Sequence, residues 1–289
     1  MKLNKNIETI LGCEKEYTDA DIVIFGAPFD STASYRPGTR FASKTMRSES
    51  YNMETYSPYL ELDLEEDTAV FDAGELDLSL GNTPKTLETI YDFSKKLLED
   101  KKLPFMIGGE HLVTYGSVKA VAEKYPDLHI IHFDAHADLR DEFLGTPFSH
   151  ATVLHRCHDL LGDGRIFQFA IRSGEKAELN WGKKHVFTHM FDFANLDKII
   201  KELENKPIYF TVDLDVLDPA VFPGTGTPEA GGVSFNELRL AMQAVAKLNI
   251  VGTDMVELSP PCDLSGMSTT VALKLLREYL LALSHKNKK

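Results

Sequence analysis

The sequence is poor in cysteine, in positive charge and in long apolar runs, and each shortage removes a class of function. Cys13, Cys157 and Cys262 are the only cysteines in 289 residues. They are odd in number and share no C-x-x-C spacing, which argues against a disulfide framework or a Cys-rich zinc site and points to a reducing compartment, the cytoplasm. Lysine and arginine number 31 against 44 aspartates and glutamates, a formal net charge of −13. That surplus disfavours nucleic acid and anionic membrane surfaces as partners and mildly favours a cationic ligand. No stretch approaches the roughly 20 apolar residues that span a bilayer. The polar start, Met1 to Asp21, lacks the apolar core of a secretion signal.

What the chain does have is a recurrence of short, β-rich apolar runs separated by longer amphipathic stretches. The runs Asp21–Gly26, Ala69–Ala73, Pro104–Ile107, His129–Asp134, Ile166–Ile171, Val186–His189, Ile208–Asp213 and Ile250–Glu257 read as strands. Several are apolar almost throughout, as Ile22-Val23-Ile24-Phe25 is, which fits strands covered on both faces. Helical periodicity is clearest in Thr83–Glu99, His111–Lys124, Leu196–Glu204, Asn236–Leu248 and Thr269–Ser284. The expectation is an α/β protein: a three-layer α/β/α sandwich around a mostly parallel eight-stranded sheet, one domain over residues 1–289. Pro219–Gly232 has a linker-like composition but lies between a strand and a helix, so it reads as a structured loop. In such sheets ligands bind beyond the carboxyl ends of the strands.

Polar residues collect at those ends. His132, Asp134, His136 and Asp138 alternate with Phe133, Ala135 and Ala137, so an extended chain puts them on one side. Asp213 and Asp215 repeat the pattern after Tyr209-Phe210-Thr211-Val212. Strand rise separates that pair by about 6.8 Å, a repulsion of roughly 2.4 kcal/mol at an effective dielectric of about 20. A bound cation offsets such a cluster; a shared proton, as in an acid/base dyad, explains two carboxylates more easily than four. A third strand runs into Gly108-Gly109-Glu110-His111 and then a helix. A lone histidine there is ordinarily structural, but beside two strand ends rich in His and Asp it reads as a ligand. The candidate set is His111, Asp134, His136, Asp138, Asp213 and Asp215. Mostly hard oxygen donors suit Mn²⁺, and six ligands are many for one zinc ion. Two dications would use them all and balance the four carboxylates.

Together, Gly108-Gly109-Glu110-His111, Asp134-Ala135-His136-Ala137-Asp138 and Asp213-Leu214-Asp215-Val216-Leu217-Asp218-Pro219 resemble the ureohydrolases, the arginase/agmatinase family. The likeness extends to Ser34-Tyr35-Arg36-Pro37-Gly38, to Gly224-Thr225-Gly226-Thr227-Pro228-Glu229 and to Glu257 in Val256-Glu257-Leu258-Ser259-Pro260. Glu110 departs from the Asp usual in that family. The resemblance implies a binuclear manganese centre, two Mn²⁺ per subunit, with Asp134 and Asp213 bridging. It implies that hydroxide made available by the metals attacks a guanidinium carbon, giving urea and a primary amine. His150 matches the family's catalytic histidine and would shuttle a proton. Asp138 would relay one from the hydroxide. Glu257, at the end of a strand, would orient the guanidinium through charge-assisted hydrogen bonds, and Thr227 would assist.

An Asn/Ser/Thr-rich arginase-type loop is missing from Leu139–Ser149, and Asp138-Leu139-Arg140 with Ser149-His150 looks agmatinase-like. The expected reaction is therefore agmatine to putrescine and urea, a step of polyamine biosynthesis, with arginine or guanidinobutyrate as alternative substrates of the same chemistry. Asp141 and Glu142 are each either a partner for the substrate's distal ammonium or a solvated charge. Arg140 pointing inward would favour a carboxylated substrate; a subunit contact or solvent is the expectation. Glu61, Glu65, Glu66 and Asp67 read as a solvated loop. Related zinc deacetylases use fewer ligands, and a non-catalytic metal-dependent binder would need neither His150 nor Glu257. By resemblance the partner is a small cationic guanidinium compound, and the assembly a homo-oligomer, a trimer or hexamer.

Overall fold

All eight expected strands form, and they join one sheet. The computed structural model describes residues 8–79 and 81–286. In chain order the elements are β1 (Ile22–Gly26), α1 (Ala42–Glu49), β2 (Tyr56–Ser57), β3 (Leu62–Asp63), α2 (Leu64–Asp67), β4 (Val70–Glu75), α3 (Thr83–Glu99), β5 (Leu103–Ile107), α4 (Thr114–Lys124) and β6 (His129–Phe133). There follow α5 (Val153–Leu161), β7 (Ile166–Ile171), α6 (Lys176–His185), β8 (Phe187–Met190), α7 (Leu196–Glu202), β9 (Pro207–Asp213), α8 (Phe235–Val245), β10 (Asn249–Val256) and α9 (Met267–Lys286). The sheet order is β4-β1-β5-β10-β9-β6-β7-β8 with every pairing parallel. Beside it lies a two-stranded hairpin, β2 with β3, that the sequence pattern does not signal.

Alternation along each strand sends side chains to two helix layers. Ile24, Phe105, Phe133, Phe210 and Met255 pack with Leu273, Leu276 and Leu280 of α9 and with Leu238 and Met242 of α8. Val23, Phe25 and Met106 face Leu87, Ile90 and Leu97 of α3, while Ile130 and Tyr209 face Val118 and Val121 of α4 and Leu154 of α5. Near-continuous burial of β1, β6 and β7 follows from this double cover. The acidic group near residue 65 is a short helix rather than an open loop: Asp63 accepts the backbone N–H of Glu65, and Asp67 accepts that of Asp63. No helix among the described residues is long and apolar enough to cross a membrane.

The topology decides where a site can be. β5 and β6 follow one another in sequence, yet β10 and β9 are inserted between them. The chain therefore leaves neighbouring strand ends in different directions and opens a crevice at the carboxyl edge.

Candidate active site

Strand register lines up the residues singled out by their spacing. Val256 of β10 pairs with Asp213 of β9, and Phe133 of β6 with Val212, so Asp134, Asp213 and Glu257 emerge side by side. Gly109 brings the chain after β5 hard against the loop after β1: its backbone N–H donates to Ala27, and a Cβ there would overlap the carbonyl of Phe29. That close approach, possible only for glycine, turns His111 inward over the sheet edge. It is fully buried.

Each of three aspartates has one oxygen held by a backbone N–H and the other turned to the centre. Asp134 Oδ1 accepts from His136, Asp213 Oδ1 from Asp215, and Asp215 Oδ1 from Ala135, at 2.5, 2.9 and 3.2 Å. His111 Nδ1 then lies 3.1 Å from Asp134 Oδ2, 3.1 Å from Asp138 Oδ2 and 3.3 Å from Asp213 Oδ2. His136 Nδ1 lies 3.0 Å from Asp215 Oδ2 and 3.6 Å from Asp134 Oδ1. All six candidate ligands converge. Asp138 does so by a route the strand alternation does not supply. β6 ends at Phe133, and Asp138 reaches the cluster through a left-handed backbone, φ 52°. Such a conformation at a non-glycine residue persists only where the surroundings fix it.

Hydrogen bonding fixes the tautomer of His111. Thr211 donates its hydroxyl to Asp254 at 2.5 Å, so at 3.0 Å it can only accept from His111 Nε2. In the neutral ring Nδ1 is then a bare lone pair aimed at three carboxylate oxygens. Asp254, which also accepts from Tyr209 at 2.6 Å, anchors this chain. A parallel brace stands behind Asp134. Gln168 donates to Nδ1 of His132 at 3.0 Å, and His132 Nε2 donates to Asp134 Oδ2 at 2.8 Å. The alternation placed His132 on the polar side; its role as a brace, and those of Gln168, Thr211 and Asp254, escape sequence reasoning because partners on neighbouring strands define them.

Glu257 also has a left-handed backbone, φ 65°. Its amide donates to Gly109, and its Oε1 accepts the amide of His111 at 2.8 Å. No arginine or lysine pairs with it among the described residues. His150 opens the turn before α5, with Ser149 as its N-terminal cap. Its Nδ1 faces the Thr32 carbonyl at 2.9 Å and its Nε2 the Ser34 hydroxyl at 3.1 Å, so Nδ1–H donates and Nε2 accepts. Glu110 holds that loop by accepting the amide and the hydroxyl of Thr32. Arg36 ties it to the carbonyls of Thr225 and Gly226, beside Thr227.

A cavity of about 320 Å³ opens onto the cluster, lined by His136, Asp138, His150, Asp213, Thr227 and Glu257. Arg140, Glu175 and Glu178 form part of its wall. Arg140 therefore does not project to solvent as expected. Its guanidinium lies 3.1 Å from Glu175, 3.5 Å from Glu178 and 4.5 Å from the centre of the Phe143 ring. Asp141 is bound to Arg156 at 2.6 Å, and neither it nor Glu142 lines the cavity. Glu175 and Glu178 occupy the acidic place imagined for them. Glu175 caps α6 and Glu178 lies in its first turn, a helix that the sequence pattern does not signal.

The arginase-family model matches residues 20–282. The chain belongs to the arginase family. It is 45% identical over 270 residues to an agmatinase of Bacillus anthracis, covering 92% of each chain. The solved structure of an agmatine ureohydrolase from Thermoplasma volcanium superposes with a TM-score of 0.89 at 33% identity, covering 98% of this chain and 97% of the other. A human mitochondrial guanidino acid hydrolase is 33% identical over 282 residues, covering 91% of this chain and 78% of its own. The ureohydrolase resemblance read from the motifs is thereby borne out, and the protein is a ureohydrolase enzyme.

The electrostatics of this ureohydrolase show an excess of buried negative charge. Burial pushes the Asp138 carboxyl up to about 7, with the Asp134 charge adding to it. Burial likewise carries Asp213 and Glu257 well above the carboxylate range, reinforced by neighbouring carboxylates. Burial disfavours the charged form of His111, yet Asp134, Asp138 and Asp213 outweigh it and raise that imidazole. His150 goes the other way, to about 4, chiefly by burial. It is neutral near neutral pH, with Nε2 an acceptor facing the Ser34 hydroxyl.

Proposed function

We propose that the chain is a manganese-dependent agmatinase, hydrolysing agmatine to putrescine and urea. The observation that carries this is the convergence of His111 and His136 with Asp134, Asp138, Asp213 and Asp215, a buried excess of acid that bound dications offset. Two Mn²⁺ would be held by His111, His136, Asp134, Asp138, Asp213 and Asp215, a set of mostly hard oxygen donors. Dications bound there would supply a hydroxide nucleophile near neutral pH and compensate charge developing on the substrate.

The remaining work falls to side chains. Glu257, with Oε1 tied to His111, has Oε2 to receive the guanidinium NH₂ groups, and Thr227 adds a hydrogen bond beside it. Asp138 would take the proton released on attack. His150 moves a proton at Nε2 towards the leaving amine. At the cavity wall one arginine meets two glutamates. The surplus negative charge suits the distal ammonium of agmatine, and Glu175, the more exposed of the two, is its partner.

Arg140 is the specific observation behind a second reading. It lines the cavity, and if Glu175 released it, a guanidino acid such as guanidinobutyrate would find a cation. Urea release measured separately with agmatine, arginine and guanidinobutyrate decides. Agmatine turned over fastest supports the proposal; equal or faster turnover of either other compound refutes the substrate assignment. The same family reading favours a cytoplasmic homo-oligomer, a trimer or hexamer, and light scattering reads its mass.

A further inference from the structure

The helices α5 and α6 both start beside the cavity, and their far ends meet away from it. There, three side chains with no part in the proposed catalysis converge: His158 in the last turn of α5, Asp163 in the following turn and His185 at the end of α6. Asp163 Oδ1 is 2.8 Å from His158 Nε2 and 2.7 Å from His185 Nδ1. A donor atom from each residue lies within 4.8 Å of the other two. The amide of Gly164 donates to the carbonyl of His185, closing the turn around them.

Two imidazole nitrogens and one carboxylate oxygen are a donor set for borderline transition ions. Ligands about 2.0–2.1 Å from one ion stand about 2.9–3.4 Å apart, so the two edges to Asp163, 2.8 and 2.7 Å, need only slight widening. The rings are already oriented. Trp181 stacks on His185 with centroids 4.4 Å apart and meets His158 edge-on at 4.8 Å, and its ring is also stacked against His155 at 4.2 Å. Asp163 is two-thirds exposed, which leaves further coordination positions open to water.

We propose that His158, Asp163 and His185 form a second metal site, separate from the manganese centre, for a divalent transition ion of the Ni²⁺, Cu²⁺ or Zn²⁺ type. With two nitrogens and one oxygen it binds Mn²⁺ weakest of the series. An ion there joins the far end of α5 to that of α6. The near ends of these helices carry His150 and Glu175, so the site stiffens the frame of the cavity without touching substrate.

Trp181 is the only tryptophan in the chain, which gives the site its own optical signal. Ni²⁺ titrated into the manganese-loaded protein should quench most of the tryptophan emission and saturate at one ion per chain, while further Mn²⁺ should not. His158→Ala and His185→Ala should weaken the quench about 100-fold or abolish it, with urea release under manganese unchanged. Asp163→Asn keeps an acceptor for both imidazoles but loses the charge, and should weaken binding without unfolding. Zn²⁺ should raise the melting temperature of the wild type and not of these variants. Asp213→Asn should leave the quench intact. Quenching that survives in His158→Ala and His185→Ala, or that disappears in Asp213→Asn, would overturn the proposal.

Discussion

The Glu257 carboxylate accepts the backbone N–H of His111 at 2.8 Å, joining the end of β10 to the turn after β5. One oxygen is thus fixed on the scaffold, and the other lies near Gly226, where a Cβ would stand 3.9 Å from it. The left-handed backbone at Glu257 belongs to this arrangement, since the same residue donates its own amide to Gly109. A side chain held at both ends presents its remaining oxygen in one direction, which suits recognition of a planar guanidinium.

Glu257→Gln keeps the acceptor for His111 and removes the charge. The fold and metal content should survive, while kcat/KM for agmatine falls by about 2–3 kcal/mol, roughly 30- to 150-fold. Steady-state kinetics beside metal analysis checks this, and loss of metal in the variant would assign Glu257 to the metal cluster instead.

The His111–Thr211–Asp254 chain orients a proposed ligand from behind. Asp254→Asn weakens the acceptor for Thr211 and so the hold on the imidazole. Manganese affinity should fall about 10- to 100-fold, with kcat near the wild-type value once manganese is saturating. Activity against free manganese reads the shift; a reduced kcat at saturation with unchanged affinity would contradict it.

His150→Ala should slow turnover by about 10²- to 10⁴-fold with metal content intact. Its acid behaviour carries a second expectation. Burial lowers the folded-state pKa from 6.5 to about 4. Between those values the unfolded chain takes up a proton that the folded chain refuses, so stability is complete above pH 6.5 and is lost as pH falls towards 4. The contribution is on the order of 1–3 kcal/mol, allowing for partial solvent access. Urea unfolding at pH 7 and pH 4.5 should show wild type losing more stability than His150→Gln. An equal loss would place the imidazole in an ordinary environment.

Much of this site could be read from residue order alone, because strand ends in a parallel sheet project their polar residues to a common edge. Asp213 ends an apolar strand, as alternation expects, whereas Asp215 lies in a 3₁₀ turn, Leu214–Val216, and is held at the edge by the hydrogen bond its amide donates to Asp213. Asp138 needed more, since its arrival depends on a left-handed turn that alternation does not foretell. His132, Thr211, Gln168 and Asp254 were illegible as braces, because their meaning lies in partners up to 100 residues away. The helices α1, α5 and α6 were missed for a related reason. Each is 10 residues or shorter, which weakens the periodic signal, although α7 at 7 residues was still legible. Arg140 was misplaced with the outlook of a surface charge, since nothing local to it reveals Glu175 and Glu178.

That pairing gives a test of substrate choice. Glu175→Gln removes the surplus negative charge at the wall and loosens Arg140. Turnover of agmatine should drop about fivefold in kcat/KM, while guanidinobutyrate improves relative to it. A variant that loses on both compounds equally would show that Glu175 supports the wall rather than selecting the substrate.

The most direct test of the central claim is the manganese content of the protein after loading with Mn²⁺ alone and removal of free metal, measured by mass spectrometry. Two manganese ions per chain, falling in Asp213→Asn and His136→Ala together with urea release, is the expected result. A wild-type protein that retains no manganese under any loading condition, or one that releases urea at full rate without it, would contradict the account.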